Sequence, residues 1–377
     1  MKKNHFIFSI ITLVLLVVFI TSFNYFKTTN TYIDDSVNNQ TKITKGISMN
    51  LEQTAGAGDY KTVTQSGWPT EGYKFNAELS RCENGSELSW DDTNKKVIVS
   101  GNTSDKCYVY FDIYQPTQPT LTEYIKSQYT GTQGENSLYY HNSTLTNSAG
   151  DNSYRYAGAS DSVNNYICLG SDEATCPEAN LFRIIGVFGD KTKVIRAKSV
   201  ENKQWHSSES NTWSSSSLNT YLNGEYLTSL GTLADKIATT TWKVGGGSWS
   251  KIASSVPKTA YQNEVGSSSS STTVDKKIGL MYVSDYGFAA DQSGWTTKLS
   301  SYNSNTSKNW LYLGSTEWTL SRTSDLTRSA FYVNSTGTVN YSIVTYSNGV
   351  RPVFNFLSSV KYVSGSGSMS DPVRVTD

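Results

Sequence analysis

Trp295, Tyr302, Trp310 and Tyr312 fall in one Ser/Thr/Asn-rich stretch without clear periodicity, and Arg322, Asp325 and Arg328 follow a few residues on. Flat rings among small hydrogen-bonding side chains are how a sugar face or a protein epitope is gripped, and neighbouring charges fix its orientation. These seven residues are the ligand-binding candidates. The competing use of the aromatics is as filler for the core of a loop-rich domain, which needs such volume.

Covalent chemistry has less to stand on. A Ser-His-Asp set needs a base, and the three histidines, His5, His141 and His206, sit in no recognisable motif. A Gly-x-Ser-x-Gly elbow and a His-Glu-x-x-His helix are both absent, so no catalytic residue is expected. Asp285, Asp291, Glu317 and Asp325 are too scattered to gather oxygen ligands around a hard cation and read as solvated acids. Neither a metal nor a cofactor is expected. Gly245-Gly246-Gly247 lacks the preceding strand and Gly-Lys-Ser pattern of a phosphate loop, so it reads as a turn between Trp242 and Trp249.

The four cysteines form two local pairs, Cys82 with Cys107 and Cys168 with Cys176. Read as disulfides, they belong to an oxidising compartment, and loop closure gives roughly 3.5 kcal/mol for the first and roughly 2.5 for the second. Four free buried thiols are the alternative. Zinc fits poorly, because no Cys-x-x-Cys occurs and no histidine stands at finger-like spacing from a cysteine.

The elements that must position these residues begin with a charge-free apolar run, Phe6 to Phe26, long enough as a helix to cross a hydrocarbon core of about 30 Å. A cleaved signal peptide normally has a shorter core and a small-residue exit, whereas Phe19, Ile20, Phe23, Tyr25 and Phe26 crowd this one. Lys2 and Lys3 lie before the run, so the positive-inside tendency keeps the start cytoplasmic and sends the rest outside. A single-pass membrane anchor with an extracellular bulk is the expectation, with the bilayer as partner through residues 6–26. The 32 basic and 32 acidic side chains cancel, which supplies no field for nucleic acid.

Residues 27–47 lack periodicity and read as a stalk. From 48 to 114, short runs such as Tyr73-Lys74-Phe75, Lys96-Val97-Ile98-Val99 and Cys107-Tyr108-Val109-Tyr110-Phe111 alternate with turn signals and predict a small antiparallel β module. Pro116 and Pro119 make 115–120 an extended linker. Beyond it, Leu121, Tyr124 and Ile125 predict a short helix, and Phe182 to Phe188 and Lys193 to Ala197 predict a hairpin turned at Gly189-Asp190. Ser217 caps a predicted helix carrying Leu218, Tyr221, Leu222, Leu227 and Leu230, weakened at Gly224. Ile278 to Val283 has strand texture. Runs around Trp318, Phe331, Val339 and Val353 predict a closing β-meander, with Pro352 demanding an edge or a bulge.

At Trp318-Thr-Leu-Ser-Arg322, Phe331-Tyr-Val-Asn-Ser-Thr-Gly337 and Asn348-Gly349-Val-Arg351-Pro352-Val-Phe354 the chain resembles an uncharacterised domain family of bacterial surface proteins, chiefly Gram-positive. Asn180 to Phe188, Leu218 to Asn223 and Ile278 to Asp285 are similar to that family's earlier elements, so the resemblance spans about residues 121–377. It makes Trp318, Gly349, Arg351 and Pro352 structural signature residues. Residues 48–114 resemble an accessory β module that precedes such domains. The resemblance implies a C-type-lectin-like α+β domain, related in outline to formylglycine-generating, sulfatase-modifying enzymes and to variable ligand-binding proteins, and it implies no single activity. Arg322 stands where many members carry Pro, which would leave a guanidinium near the binding loops.

The expected protein is thus α+β, with an N-terminal transmembrane helix, a small all-β module and a C-terminal C-type-lectin-like domain. Its expected task is adhesion or binding of a glycan or surface protein. An enzyme or enzyme subunit on the related fold, and an architectural cell-surface or appendage subunit, are the rival readings.

Overall fold

The computed structural model describes residues 46–63, 72–91, 96–101, 105–114 and 118–376. The expected anchor at 6–26, nearly all of the stalk and residues 115–117 of the expected linker lie outside them. Among the described residues no helix is long and apolar enough to cross a membrane. The architecture is mixed α+β with many strands and few helices, and the chain divides after Thr117 into two compact units.

The first unit carries β1 (Ile47–Glu52), β2 (Tyr60–Val63), β3 (Tyr73–Phe75), β4 (Arg81–Cys82), β5 (Glu87–Asp91), β6 (Lys96–Ser100) and β7 (Cys107–Ile113). Alternation on β7 buries Cys107, Val109 and Phe111, the period-2 signature of a strand with one core face. Met49, Leu51 and Val97 complete that small core. The expectation of a wholly antiparallel module is corrected here. β1 runs parallel to β7, from Ile47 opposite Cys107 to Leu51 opposite Phe111, a pairing open to strands joined by a long connection. Cys82 and Cys107 are disulfide-bonded and directly opposed on β4 and β7.

The second unit begins with α1 (Leu121–Ser127), opened by a reciprocal cap in which Thr120 accepts from the Glu123 amide and Glu123 accepts from the Thr120 amide. Then follow β8 (Leu138–Tyr140), β9 (Tyr154–Tyr156), β10 (Tyr166–Cys168), β11 (Leu181–Phe188), β12 (Lys191–Arg196), β13 (Glu201–Gln204), α2 (Ser217–Tyr221) and α3 (Leu227–Ser229). After them come β14 (Thr240–Lys243), α4 (Pro257–Glu264), β15 (Thr273–Lys276), β16 (Ile278–Gly279) and α5 (Val283–Phe288). The chain ends through β17 (Glu317–Arg322), β18 (Ser329–Val333), β19 (Val339–Ile343), β20 (Ser347–Val350), β21 (Val353–Asn355), β22 (Tyr362–Ser364) and β23 (Arg374–Val375).

One sheet orders these strands β16-β21-β12-β11-β9-β8, with β10 also on β11; a second orders them β13-β20-β17-β18-β19. β11 and β12 sit at the middle of the first sheet and are buried along most of their length, which is why Leu181 to Phe188 reads as an apolar run. Gly189-Asp190 turns them, with Gly189 at φ +66°. Gly186 permits a close approach, since a Cβ there would run into the Tyr154 carbonyl oxygen on β9.

Three expectations about elements need correction. Ser216, not Ser217, caps α2, its hydroxyl accepting from the Asn219 amide, and the helix passes through a π turn at Leu222–Tyr226. The strand read from Ile278 to Val283 stops at Gly279, because the Asp285 carboxylate accepts from the Tyr282 amide and starts α5 instead. The last strands are not one continuing meander. β20 pairs with β13 and β17, whereas β21 pairs with β12 and β16, so Arg351-Pro352 is the crossing between the sheets. Pro352 costs no ladder hydrogen bond, because it lies in that gap, outside both strands.

Candidate functional site

Three of the four candidate aromatics belong to the core. Trp295 is buried against Tyr139, His141 and Phe288 and donates its indole N–H to the Ala290 carbonyl. Tyr302 is buried and donates its hydroxyl to the Gly287 carbonyl. Trp310 is buried under the Arg183 guanidinium, 4.8 Å from its ring centre, and donates to the Tyr156 carbonyl. Each ring has its polar handle satisfied inside, as large aromatics in cores require, so these rings present no face to a ligand. Tyr312 is half-buried, and its hydroxyl donates to the Ser335 carbonyl.

The signature residues are structural in their contacts. Trp318 is buried and donates to the Lys203 carbonyl. A Cβ on Gly349 would press on the Thr316 carbonyl and Ser199. Arg351 reaches Glu317 at 2.7 Å and donates to the Leu311 carbonyl at 2.6 Å, all of it buried. Burial raises the Glu317 carboxyl above its ordinary value, and Arg351 and Ser199 offset only part of that rise. The pair ties the start of β17 to the sheet crossing.

The charged candidates sort differently. Arg322 is half-buried and committed to the Val244 carbonyl and the Asn211 side chain, at 3.3 and 3.1 Å. Asp325 and Arg328 are exposed on the loop between β17 and β18. That loop is held from inside by Asn211, whose side-chain amide donates to the carbonyls of Thr323, Leu326 and Ser329 at 2.8 Å each. It is held from the side by the glycine turn, where Gly247 donates to the Arg322 carbonyl and accepts from the Ser324 amide. Gly246 sits at φ +62° with Arg322 so close that a side chain would not fit.

Beside this loop lies an aromatic pair that sequence reasoning passed over. Trp249 meets Tyr341 edge to face at 5.7 Å. Tyr341 and Leu326 are among the exposed large hydrophobics, while Trp249 is half-buried. Ser207, Ser208, Ser250 and Ser324 stand exposed on the same loops, and Arg328 pairs with Glu209 at 3.3 Å. Trp249 stands beside a glycine run that reads as a turn, and Tyr341 reads as one residue of a strand. Only folding shows that they meet.

The second unit also holds a group of inward charges. Arg155 reaches Asp151 at 2.7 Å and Asp285 at 3.6 Å, and Lys193 is in ion-pair contact with the same Asp285. Burial pushes the Asp151 carboxyl up, but Arg155 and Ser153 outweigh it and hold it well below the usual range. Burial pulls the Lys193 ammonium down against Asp285. Glu264 accepts from the amides of Val283 and Ser284 at 3.0 and 2.8 Å and from the Ser321 hydroxyl. Burial raises it to about 7 despite those bonds. Asp285 and Glu317 are therefore not the solvated acids that their scattered positions predict, because both fold inward onto cations.

Among the described residues, His141 and His206 assemble no triad. His141 is buried, its Nδ1 accepts from the Ala149 amide, and burial pulls it well below its ordinary value, Arg155 adding to the effect. At His206 both ring nitrogens face Ser208, each at 3.4 Å, leaving none for an orienting carboxylate. Cys168 and Cys176 are disulfide-bonded and close a turn beside a cleft of about 390 Å³ lined by Asp172, Lys236, Asp371 and Arg374. Arg374 donates to the Ser171 and Glu173 carbonyls and so holds that turn.

Fold and site together define a disulfide-bonded α+β protein with a Trp249–Tyr341 ring pair beside the loop that Asn211 anchors. Residues 189–358 match the family described as Domain of unknown function (DUF6273). The match takes in the whole loop face as well as Lys193, Glu264 and Asp285. No curated protein and no solved structure matches the chain.

Proposed function

We propose that this chain is a membrane-tethered surface protein that binds a glycan or a surface protein through the loop face around Trp249, Leu326 and Tyr341. In this reading residues 6–26 cross the bilayer, the remainder is extracellular, the first unit is a spacer, and the second is a C-type-lectin-like domain. The observation that carries it is the Trp249–Tyr341 ring pair beside a loop that exposes Leu326 and Ser324 and is anchored by Asn211. A rigid aromatic surface with adaptable hydroxyls at its rim suits recognition, and a loop held by buried hydrogen bonds loses little entropy when it binds. Both disulfides fit an exterior location.

The test is a screen of the detergent-solubilised full chain against glycan and surface-protein arrays, repeated with Tyr341→Ala/Leu326→Ala. Retention of a ligand by the parent chain and its loss in the variant is expected. Failure to retain any ligand counts against binding as the task; equal retention by the variant moves the site elsewhere. Protease applied to intact cells should remove the described residues, and their survival would contradict the topology.

A further inference from the structure

The geometry points to an intramolecular amide bond between Lys193 Nζ and Asp285 Cγ, formed by the protein on itself. Three observations converge on that pair. Lys193 lies on β12, in the middle of the seven-stranded sheet, and both partners are almost wholly buried. The ammonium is walled by the rings of Phe188, Trp242 and Tyr282, with centres at 5.2, 5.9 and 5.0 Å. Its contact partner is the Asp285 carboxylate, whose Oδ2 is also fixed by the Tyr282 amide at 2.9 Å. Amine and acyl carbon are thus held together, desolvated and unable to turn away, which is the condition under which effective molarity becomes large.

Charge decides which of the cations reacts. Lys193 and Arg155 face Asp285 and Asp151. Condensation of Lys193 with Asp285 removes one positive and one negative charge together, and the pair left behind, Arg155 with Asp151, is already matched. A buried ion pair with its desolvation penalty becomes a neutral amide. Arg155 cannot take the same path, since its guanidinium keeps its proton.

The step balances without a co-reactant. The ammonium carries three hydrogens: one stays on the amide nitrogen, and two leave with one Asp285 oxygen as water. Proton transfer from Lys193 to Asp285 first makes a free amine and a neutral acid. The amine then attacks Cγ, and the tetrahedral carbon expels the hydroxyl. Glu264, bound to the Val283 and Ser284 amides of the helix that carries Asp285, is the neighbouring group able to take a proton from nitrogen and return it to the leaving oxygen. Its raised pKa suits it to both directions of transfer.

The deciding experiment is peptide mapping of the full chain after reduction and alkylation. Trypsin cannot cut at an acylated lysine, so residues 192–196 should appear joined to residues 278–298, lighter than their sum by one water. Two separate linear peptides, with cleavage after Lys193, would overturn the proposal. Lys193→Met should release the 278–298 peptide in linear form. Glu264→Gln should slow the linked product in freshly made chain by about a hundredfold, the size of one general acid–base contribution; an unchanged rate would overturn its role.

Discussion

The inward charges around Asp285 and Glu317 and the outward charges around Arg328 use the same residue types to opposite ends. Inside, Glu317 and Arg351 are both nearly inaccessible, and each is needed to neutralise the other. Outside, Arg328 and Glu209 remain more than half exposed, so water and salt already stabilise each one alone. The difference teaches where a charge is architecture and where it is free for recognition. The inner pair joins the two sheets at their crossing. The outer pair joins Glu209 to Arg328 on the loop that exposes Leu326.

The sharpest way to break this comparison is to remove one inner partner. Glu317→Ala leaves the Arg351 cation buried and unmatched, which costs about 3–5 kcal/mol, and a large fall in the denaturant midpoint should follow. The double change Glu317→Met/Arg351→Met should recover much of that loss, because it removes the stranded charge with its partner. A single variant as stable as the parent would mean that water reaches this site and that the inner pair behaves like the outer one.

Legibility in the sequence follows the same division. Local signals are readable: the Gly189-Asp190 hairpin, the helix at Leu121, both cysteine pairs and most strands from Glu317 onward depend on residues close in the chain. Long-range consequences are not. Trp295 and Trp310 sit in a polar stretch that predicts a surface, yet irregular turns carry them inward, where the rings find carbonyl acceptors. Asp285 reads as a stray acid because Lys193 and Arg155 are remote in sequence. The parallel pairing of β1 with β7, and the step between sheets at Pro352, depend on strand order, which alternation leaves open.

A smaller effect should appear in the pH dependence of stability. Glu264 is raised from 4.5 to about 7 in the fold, so between those values the folded state holds a proton that the unfolded state has released. Its contribution is complete below about 4.5 and is lost as pH rises through about 7. His141 acts oppositely. Its folded value lies well below 6.5, so its contribution is present above that value and is lost as pH falls. Glu264→Gln should abolish the first slope and keep the second when unfolding is followed by denaturant titration from about pH 4.5 to about pH 8. An unaltered profile would remove Glu264 from the titrating groups of the interior.

The smallest effect on stability is expected at the outer pair, and there its smallness is the informative result. Arg328→Ala or Glu209→Ala should change stability by no more than about 1 kcal/mol, since an exposed pair gains little Coulomb energy and spends side-chain entropy on holding its geometry. Added salt should shrink even that difference. Asn211→Ala provides the contrast on the same loop, because it takes away a buried amide that three carbonyls share: those of Leu326 and Ser329 keep the Thr323 hydroxyl as donor, whereas that of Thr323 is left unsatisfied, which costs about 1–3 kcal/mol. If Arg328→Ala proved as damaging as Asn211→Ala, the loop would depend on its surface charge for its shape. If only Asn211→Ala unfolds it, Arg328 and Glu209 are spare of structural duty and free to meet a partner.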